Sequence, residues 1–143
     1  MSVLNRSDPH HAHAIRRLDE ELVLWLTTVT VEGQPQPSPV WFLAEGEVLW
    51  IWSMPGAPKV RNLRANPRVS IALRTDEGGD DVVTFEGLAE LPEGPRLDAV
   101  AAYVGKYDHE ARRLDLAWPR LAEDYRQPIR VSLTRVRVDL VTD

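Results

Sequence analysis

The sequence predicts a mainly β domain, a small antiparallel β-barrel of about six strands with short helices inserted between them. Short runs rich in β-branched and aromatic residues recur along the 143 residues and are separated by Gly, Pro and Asn turn signals. These runs do not alternate regularly with helices, as parallel βαβ units would require. A chain of this length suits one hydrophobic core, so we expect residues 1–143 to form a single domain.

Composition and charge restrict the class of protein. The formal net charge is −5, which argues against a general nucleic-acid-binding protein. No apolar run approaches the roughly 20 residues that a membrane span requires. The chain has no cysteine, which excludes disulfides and thiolate metal sites. We therefore expect a cytoplasmic protein that has neither a nucleic-acid nor a membrane partner.

The first element expected is a short amphipathic helix at residues 14–21, where apolar and charged residues recur at helical spacing. The polar residues 1–13 before it are expected to form a mobile tail. Three histidines lie in that segment: His10, His11 and His13. No matching carboxylate or fourth ligand lies nearby in the sequence, so no metal site is predicted.

Two strands joined by a hairpin turn come next. Residues 22–33 are rich in β-branched and aromatic residues and end in Glu-Gly, and their near-continuous apolar start predicts a strand buried on both faces. The next strand begins with Pro35, Pro37 and Pro39, which remove every second backbone donor. This segment can pair on one side only, so we expect a sheet edge or a place where the backbone faces a ligand or a second subunit.

The centre of the chain carries a strand hairpin followed by a basic helix. Strands are predicted at residues 40–44 and 48–53 around a Glu-Gly-Glu turn, with a helix at residues 59–65 and another strand from Val69. A strand that ends in Ser53 and passes directly to a Lys/Arg-bearing helix can form an anion site, because a hydroxyl, backbone N–H groups and cations converge there. A solvated basic helix is the alternative interpretation.

The last third of the chain predicts two more strands with helices between them. Residues 82–91 form a strand with Gly87 as a β-bulge, and residues 96–106 have helical spacing. Residues 107–126 are polar, contain a proline and are expected to form one or two short helices. The last strand, at residues 129–140, alternates arginine with apolar residues, so one face should be packed and the other wet or in contact with a partner.

Lys59 and the tryptophans are the candidates for ligand binding. Lys59 lies near a helix start, where a cation is unfavourable beside the helix dipole unless an anion is also present. Trp50 and Trp52 point to the same strand face and would suit a flat heteroaromatic ligand, although core packing is the usual explanation for each. The sequence has no Gly-rich phosphate loop and no convincing Ser/His/acid arrangement, so no catalytic residue is predicted.

Three segments carry a family resemblance: PQPSPVWF at 35–42, LWIWS at 49–53 and KVRNLRANPRVSI at 59–71. They resemble the pyridoxamine-5′-phosphate-oxidase-like, flavin-binding split-barrel superfamily and, more narrowly, its deazaflavin (coenzyme F-420)-dependent oxidoreductases. The resemblance implies a homodimer of split β-barrels with cofactor sites at the subunit interface. It is weakest across residues 107–126.

The resemblance also implies a set of cofactor-binding positions: Gln36, Ser38, Val40, Trp52, Ser53, Lys59, Val60, Asn62 and Arg64. Ser53 and Lys59 would hold the cofactor phosphate, and Trp52 would lie beside the ring system. Relatives often carry an arginine two residues before the lysine that corresponds to Lys59. This chain has Ala57 there, so it has one cation fewer to bind the phosphate. Lys106 and the arginines of the last strand are candidates for contacting the acidic tail of F-420.

The activity implied is transfer of a hydride from reduced F-420 to a small unsaturated or quinone-like acceptor. The cofactor carries that chemistry, and no protein acid or base is obligatory. An FMN-binding flavoprotein oxidoreductase on the same fold is one alternative. A non-catalytic protein that binds a flavin, a deazaflavin or a tetrapyrrole is another.

Overall fold

In the computed structural model, which describes residues 2–140, seven strands form one curled antiparallel sheet. The strands are β1 Leu24–Val29, β2 Pro35–Val40, β3 Leu43–Glu45, β4 Val48–Ser53, β5 Arg68–Ala72, β6 Val82–Glu90 and β7 Gln127–Asp139. The helices are α1 Pro9–Glu20, α2 Pro58–Ala65, α3 Ala101–Arg113 and α4 Trp118–Asp124, with a short 3-10 helix at Leu97–Ala99. The strand order is β2-β1-β5-β6-β7-β4-β3, which confirms the predicted mainly β, split-barrel architecture.

The proline-rich strand β2 lies at one edge of the sheet. It pairs with β1 alone, in a register that places Pro35 opposite Val29 and Pro39 opposite Trp25. The prediction of an edge is therefore confirmed. The prediction that β1 is buried on both faces is wrong, because Trp25 is 46% exposed on the outer face of the sheet while Leu24 on the inner face is fully buried.

The single strand predicted to begin in the proline-rich segment and to continue through residues 40–44 is divided in two, which explains why the sheet has seven strands. β2 ends at Val40 and β3 begins at Leu43. At the break, the backbone N–H of Phe42 donates to the hydroxyl of Tyr107 at 2.8 Å. A side chain from a distant helix thus supplies the hydrogen bond that a strand neighbour would otherwise make.

Helix α1 begins earlier than the sequence pattern indicated. Its first residue is Pro9, and the side chain of Asp8 accepts a hydrogen bond from the backbone N–H of His10. An aspartate N-cap followed by proline at the first helical position is a strong start signal. The predicted start at residue 14 is therefore wrong.

The segment before α1 is tied to the turn between β3 and β4. The backbone N–H groups of Val3 and Leu4 donate to the carboxylate of Glu47 at 2.7–3.0 Å. These bonds lower the pKa of Glu47, with the hydroxyl of Ser2 making the largest contribution. A mobile tail over residues 1–13 does not describe this part of the chain, although Met1 lies outside the described residues, as do residues 141–143 of the predicted domain.

The helices of the last third divide differently from the prediction. The segment expected as one helix at residues 96–106 contains the 3-10 helix and the start of α3, which runs on to Arg113. The expected bulge at Gly87 is confirmed by a shift in register between Glu86 and Gly87, where β6 pairs with β7. The last strand begins at Gln127, two residues before its predicted start.

Two hydrophobic clusters position the rest of the structure. The larger fills the curled sheet beneath α1, and its fully buried members include Leu24, Ile51 and Ile129. The smaller packs α3 and α4 against β3 and β4, and consists of Leu43, Trp52, Leu97, Tyr103, Tyr107 and Ala122. Within residues 2–140, no helix is long and apolar enough to cross a membrane.

Candidate functional site

A cleft of about 500 Å³ opens where the helices α3 and α4 meet the strands. This volume lies within the range of small-molecule sites. The cleft is lined by Val23, Pro39, Val40, Trp41, Trp52, Lys59, Leu97, Tyr103, Leu114, Leu116, Leu121 and Tyr125. Apolar and aromatic side chains therefore form almost the whole wall, and no carboxylate belongs to it.

Lys59 is the one lysine or arginine among these lining residues. Burial lowers its pKa, and no Asp or Glu within residues 2–140 forms an ion pair with it. Lys59 also lies in the first turn of α2, where Ala57 occupies the N-cap position and offers no side-chain oxygen to the helix. A cation and a helix N-terminus thus meet without a protein anion, and a bound phosphate or carboxylate would stabilise both.

Trp52 forms a rigid aromatic part of the wall. Its indole N–H donates to the carbonyl oxygen of Pro95 at 2.8 Å. Its ring stacks with Trp50 at a centroid distance of 6.0 Å and contacts Tyr103 edge-on at 4.7 Å. The prediction that Trp50 and Trp52 share a face is confirmed, and because Trp52 is only 5% exposed, it reaches the cleft with a small part of its surface.

Trp41 forms a second aromatic part of the wall and lies at the break between β2 and β3. Its ring stacks on Tyr107 with centroids 4.4 Å apart and planes 2° apart. The Tyr107 hydroxyl lies 2.8 Å from the Leu22 carbonyl oxygen and 2.9 Å from that of Phe42. Burial raises the pKa of Tyr107, so the hydroxyl remains a neutral donor to these carbonyls.

The structure brings three of the predicted cofactor-binding residues together in the cleft, namely Val40, Trp52 and Lys59. Ser53 is buried outside the lining, and its hydroxyl donates to the carbonyl oxygen of Met54 at 3.0 Å. Val60 is fully buried on the inner face of α2. Arg64 is exposed on the last turn of that helix, away from the cleft.

Asn62 and Gln36 make contacts with other parts of the protein. The side-chain amide nitrogen of Asn62 donates to Thr28 Oγ1 and to Gln36 Oε1, both at 2.9 Å. These bonds tie α2 to β1 and β2. Asn62 is therefore a scaffold residue in this structure, and Gln36 presents its carbonyl oxygen to Asn62 and not to the cleft.

Ser38 is another predicted site residue outside the lining. Its Oγ is buried and finds no hydrogen-bond partner within residues 2–140. In β2 it alternates with Pro37 and Pro39, so it shares its strand face with Gln36 and Val40. An unpaired hydroxyl at this depth is unfavourable, and a ligand atom or an ordered water beside it would remove that cost.

Sequence reasoning missed the helical side of the cleft, which consists of Leu97, Tyr103, Leu114, Leu116, Leu121 and Tyr125. Leu114, Leu116, Leu121 and Tyr125 belong to a segment whose polar composition conceals an apolar stripe. The helical spacing at residues 96–106 predicted a helix but gave no sign that it borders a cleft. The available signal was the pair Leu114 and Leu116 in a charged stretch; both are more than a third exposed at the cleft. Exposed apolar residues beside a concave surface indicate a binding region.

Lys106 does not fit the expected role as a free cation for an acidic cofactor tail. Its Nζ donates to the Phe42 carbonyl oxygen at 2.9 Å and lies 3.7 Å from the centroid of the Phe42 ring. Burial lowers its pKa to about 8. Lys106 instead anchors α3 to the break between β2 and β3.

Many solved structures share this fold, and three of them illustrate its range. An F420 reductase is 25% identical over 85% of this chain and 94% of its own, with a TM-score of 0.68. HutZ, the heme storage protein from Vibrio cholerae, is 22% identical over 97% and 96% of the two chains, with a TM-score of 0.65. A FAD-binding protein from Mesorhizobium loti is 24% identical over 87% and 88%, with a TM-score of 0.57.

No curated protein sequence matches the chain. A family model does match it, and its description is pyridoxamine 5′-phosphate oxidase. The match spans residues 11–141, which include every strand and helix of the fold apart from the first two residues of α1. With its curled antiparallel sheet and this nearly complete match, the chain belongs to the pyridoxamine 5′-phosphate oxidase family.

Proposed function

We propose that the cleft binds the deazaflavin coenzyme F-420 and that the protein is an oxidoreductase acting on a small unsaturated or quinone-like acceptor. The observation that carries this proposal is the combination of Lys59, a half-buried cation without a carboxylate partner in residues 2–140, with the aromatic surfaces of Trp41 and Trp52 in one cleft. The cation would bind a phosphate, and the aromatic surfaces would contact a flat ring system. The likeness to an F420 reductase supports the choice of cofactor.

The residues of the cleft have distinct roles in this proposal. Lys59 and the start of α2 would hold an anionic phosphate, and Val40 and Trp52 would contact the ring system. A bound deazaflavin supplies the two-electron hydride chemistry. The protein positions the two reactants. Leucines of the 3-10 helix, of the loop between α3 and α4 and of α4 exclude water from the cleft; they are Leu97, Leu114, Leu116 and Leu121.

We further propose that the protein acts as a homodimer with the cleft near the subunit interface. The edge strand β2 has an unpaired side, and exposed apolar residues lie on the neighbouring strand and around the cleft. They are Val23, Trp25, Leu114 and Leu116, and they are between 39% and 47% exposed. Sedimentation velocity should show a dimer at micromolar concentration, whereas a monomer under those conditions would contradict this part of the proposal.

FMN is the closest alternative, because it has the same phosphate and a similar ring, and one structural relative is a FAD-binding protein. A tetrapyrrole is a second alternative, which the likeness to a heme storage protein supports. The cleft favours a flavin-type ligand over heme, because its lining residues include no histidine, methionine or cysteine to act as an axial ligand.

Fluorescence titration of the purified, cofactor-free protein tests the proposal. F-420, FMN and hemin are added separately, and the emission of the cleft tryptophans reports a ring bound nearby. We expect F-420 to quench at the lowest concentration and to be displaced poorly by FMN. Tighter binding of FMN would assign the FMN alternative, and hemin binding alone would assign the tetrapyrrole alternative.

A pair of variants tests the phosphate site. Lys59→Ala should weaken F-420 binding by roughly 10- to 100-fold, because it removes a charge-assisted contact. Arg64→Ala removes the same charge from an exposed position of the same helix and should bind like the wild type. Equal affinities of Lys59→Ala and wild type would contradict the proposed site.

If F-420 binds, its reduced form is mixed with a panel of quinones and enones, and reoxidation is followed by absorbance.

A further inference from the structure

Tyr103 of α3 is held by aromatic contacts on several sides. Its ring meets Trp52 edge-on at 4.7 Å and Trp118 edge-on at 6.2 Å. It also packs at an angle of 49° against Tyr107, with centroids 4.9 Å apart. The residue is only 3% exposed and lines the cleft. Its orientation is therefore fixed before any ligand binds.

The hydroxyl of Tyr103 has no hydrogen-bond partner within residues 2–140. Ser38 Oγ is the one side-chain oxygen in that part of the chain that is both fully enclosed and unpaired, so the Tyr103 hydroxyl is not sealed from solvent. Tyr103 is otherwise buried and lines the cleft, so the cleft is the open space that this hydroxyl can reach. Tyr107 differs, because its hydroxyl is bonded to backbone carbonyls.

The protonation state of this phenol is also fixed. Burial raises the pKa of Tyr103 far above the ordinary value of 10.0, and the neighbouring phenols of Tyr107 and Tyr125 raise it further. The hydroxyl thus remains protonated across the physiological pH range. It can donate a hydrogen bond to a ligand, but it is a poor source of a transferable proton.

We propose that the Tyr103 hydroxyl is the hydrogen-bond donor for a carbonyl oxygen of the acceptor in this cleft. The inference deepens the proposed function and rests on it. A donor placed in advance at this oxygen stabilises the negative charge that develops there during reduction. The ligand class it favours is a flat, uncharged carbonyl compound, because the rest of the lining is apolar apart from Lys59, which the cofactor anion would occupy, and the exposed hydroxyl of Tyr125.

The chemical step balances without a proton from Tyr103. A bound, reduced deazaflavin would be the reductant: it would supply the hydride for a new C–H bond at a carbon of the acceptor, which gains the two electrons that the cofactor loses. The electron pair of the broken π bond moves along the conjugated system to the carbonyl oxygen. Tyr103 donates a hydrogen bond to that oxygen and keeps its own proton, and water protonates the product.

Tyr125 is the matched comparison for Tyr103. It also lines the cleft and also lacks a hydrogen-bond partner in the described part of the chain, but it is 37% exposed. A phenol in contact with water already has its hydrogen bonds satisfied and pays to exchange them. Tyr125→Phe should therefore have little effect on a carbonyl ligand, whereas Tyr103→Phe should have a large one.

Infrared difference spectroscopy of naphthoquinone bound to the cofactor-free protein tests the assignment. The chain has no cysteine that could add to the quinone. A hydrogen bond lowers the carbonyl stretching frequency, so the band should lie lower in the wild type and in Tyr125→Phe than in Tyr103→Phe. The affinity for naphthoquinone, measured by tryptophan quenching, should fall roughly 5- to 10-fold in Tyr103→Phe alone. Naphthalene, which has no carbonyl, should bind all three proteins equally.

The failure of this inference can be told from the failure of the proposed function. Two results would overturn the role of Tyr103 and leave the proposed function standing, provided that the wild type binds F-420. One is a naphthoquinone band in the wild type that matches the band in Tyr103→Phe, and the other is no binding of naphthoquinone at all. If F-420 does not bind, the proposed function fails, and the role of Tyr103 in its reaction fails with it. In turnover, Tyr103→Phe should lower kcat with F-420 affinity and the pH profile unchanged; an altered pH profile would instead make Tyr103 a proton donor.

Discussion

Trp41 and Tyr107 stack face to face, with their ring planes 2° apart and their centroids 4.4 Å apart. The hydroxyl of the same Tyr107 accepts a hydrogen bond from the Phe42 backbone N–H at 2.8 Å. One side chain from α3 therefore fixes both the break between β2 and β3 and the orientation of an aromatic wall of the cleft. The shape of the site depends on this contact between helix and sheet edge.

Tyr107→Phe is expected to lower the free energy of unfolding by about 1–3 kcal/mol, because it leaves the buried N–H of Phe42 without an acceptor. The ring stack with Trp41 should persist, so the cleft keeps its shape. Urea denaturation measures the change. Tyr125→Phe is the control, since its hydroxyl bonds to nothing within residues 2–140, and its stability should stay within about 0.5 kcal/mol of the wild type. Wild-type stability of Tyr107→Phe would contradict the role assigned to its hydroxyl.

Lys106 should make stability depend on pH in the alkaline range. Burial lowers its pKa from 10.5 to about 8, while Asp19 and Glu21 act in the opposite direction. At a pH between these two pKa values, the amine of Lys106 is protonated in the unfolded chain and deprotonated in the folded chain. The free energy of unfolding should therefore rise with pH from about 8 to about 10.5, and this gain is lost as the pH falls through 8.

The comparison of wild type with Lys106→Met isolates this effect. Below pH 8 the difference in unfolding free energy between the two proteins should be constant, and above it the difference should move in favour of the wild type. Denaturant titrations at half-unit pH steps measure it. Parallel curves across the whole range would mean that the ammonium of Lys106 is not perturbed in the folded state.

Much of the fold could be predicted because its signals are local. Alternate prolines place β2 at an edge, since they lack the donors that a second neighbour would need. The bulge at Gly87 and the helix after the Pro/Gly break likewise follow from the conformational limits of single residues. The start of α1 at Pro9 was also readable from Asp8, but the polar composition of the segment concealed it.

The cleft itself could be predicted only in part. Lys59 and Trp52 lie close together in the sequence, in the segments that carry the family resemblance, so both could be predicted as site residues. The break after Val40 was not visible, because it depends on Tyr107, which lies 65 residues from Phe42 in the sequence. The outer part of the helical wall was missed because Leu114, Leu116 and Tyr125 are partly exposed at a cleft and do not face a core, so their segment shows neither a clean apolar stripe nor a clean polar one.

Gly87 should be intolerant of any side chain. A Cβ at this position would lie 2.6 Å from Val131 Cγ1 and 2.9 Å from the Ser132 carbonyl oxygen, and backbone of the paired strand cannot easily move away. Gly87→Ala is therefore expected to destabilise the protein by about 1–3 kcal/mol. Gly105→Ala, in the interior of α3 with nothing within 4 Å of the added carbon, should stabilise it by up to about 1 kcal/mol. Thermal unfolding should therefore show shifts of opposite sign.

Substitutions of Asn62 and Lys59 should have different effects, although both residues lie on α2: the first should affect stability, and the second should affect cofactor binding. Asn62→Ala leaves the hydroxyl of Thr28, which is 1% exposed, without the donor that it faces. The free energy of unfolding is expected to fall by about 1–3 kcal/mol. Lys59→Ala removes a half-buried charge that has no carboxylate partner in the described chain, so its stability should be unchanged or higher.

Urea unfolding and F-420 titration of the same preparations test both expectations together. Asn62→Ala should lose stability and, while folded, keep most of its affinity, whereas Lys59→Ala should keep stability and lose affinity. The reverse outcome for Asn62, wild-type stability with weak cofactor binding, would place its amide on the cofactor phosphate, as the family resemblance implied. It would also mean that the bonds to Thr28 and Gln36 give way when the ligand arrives.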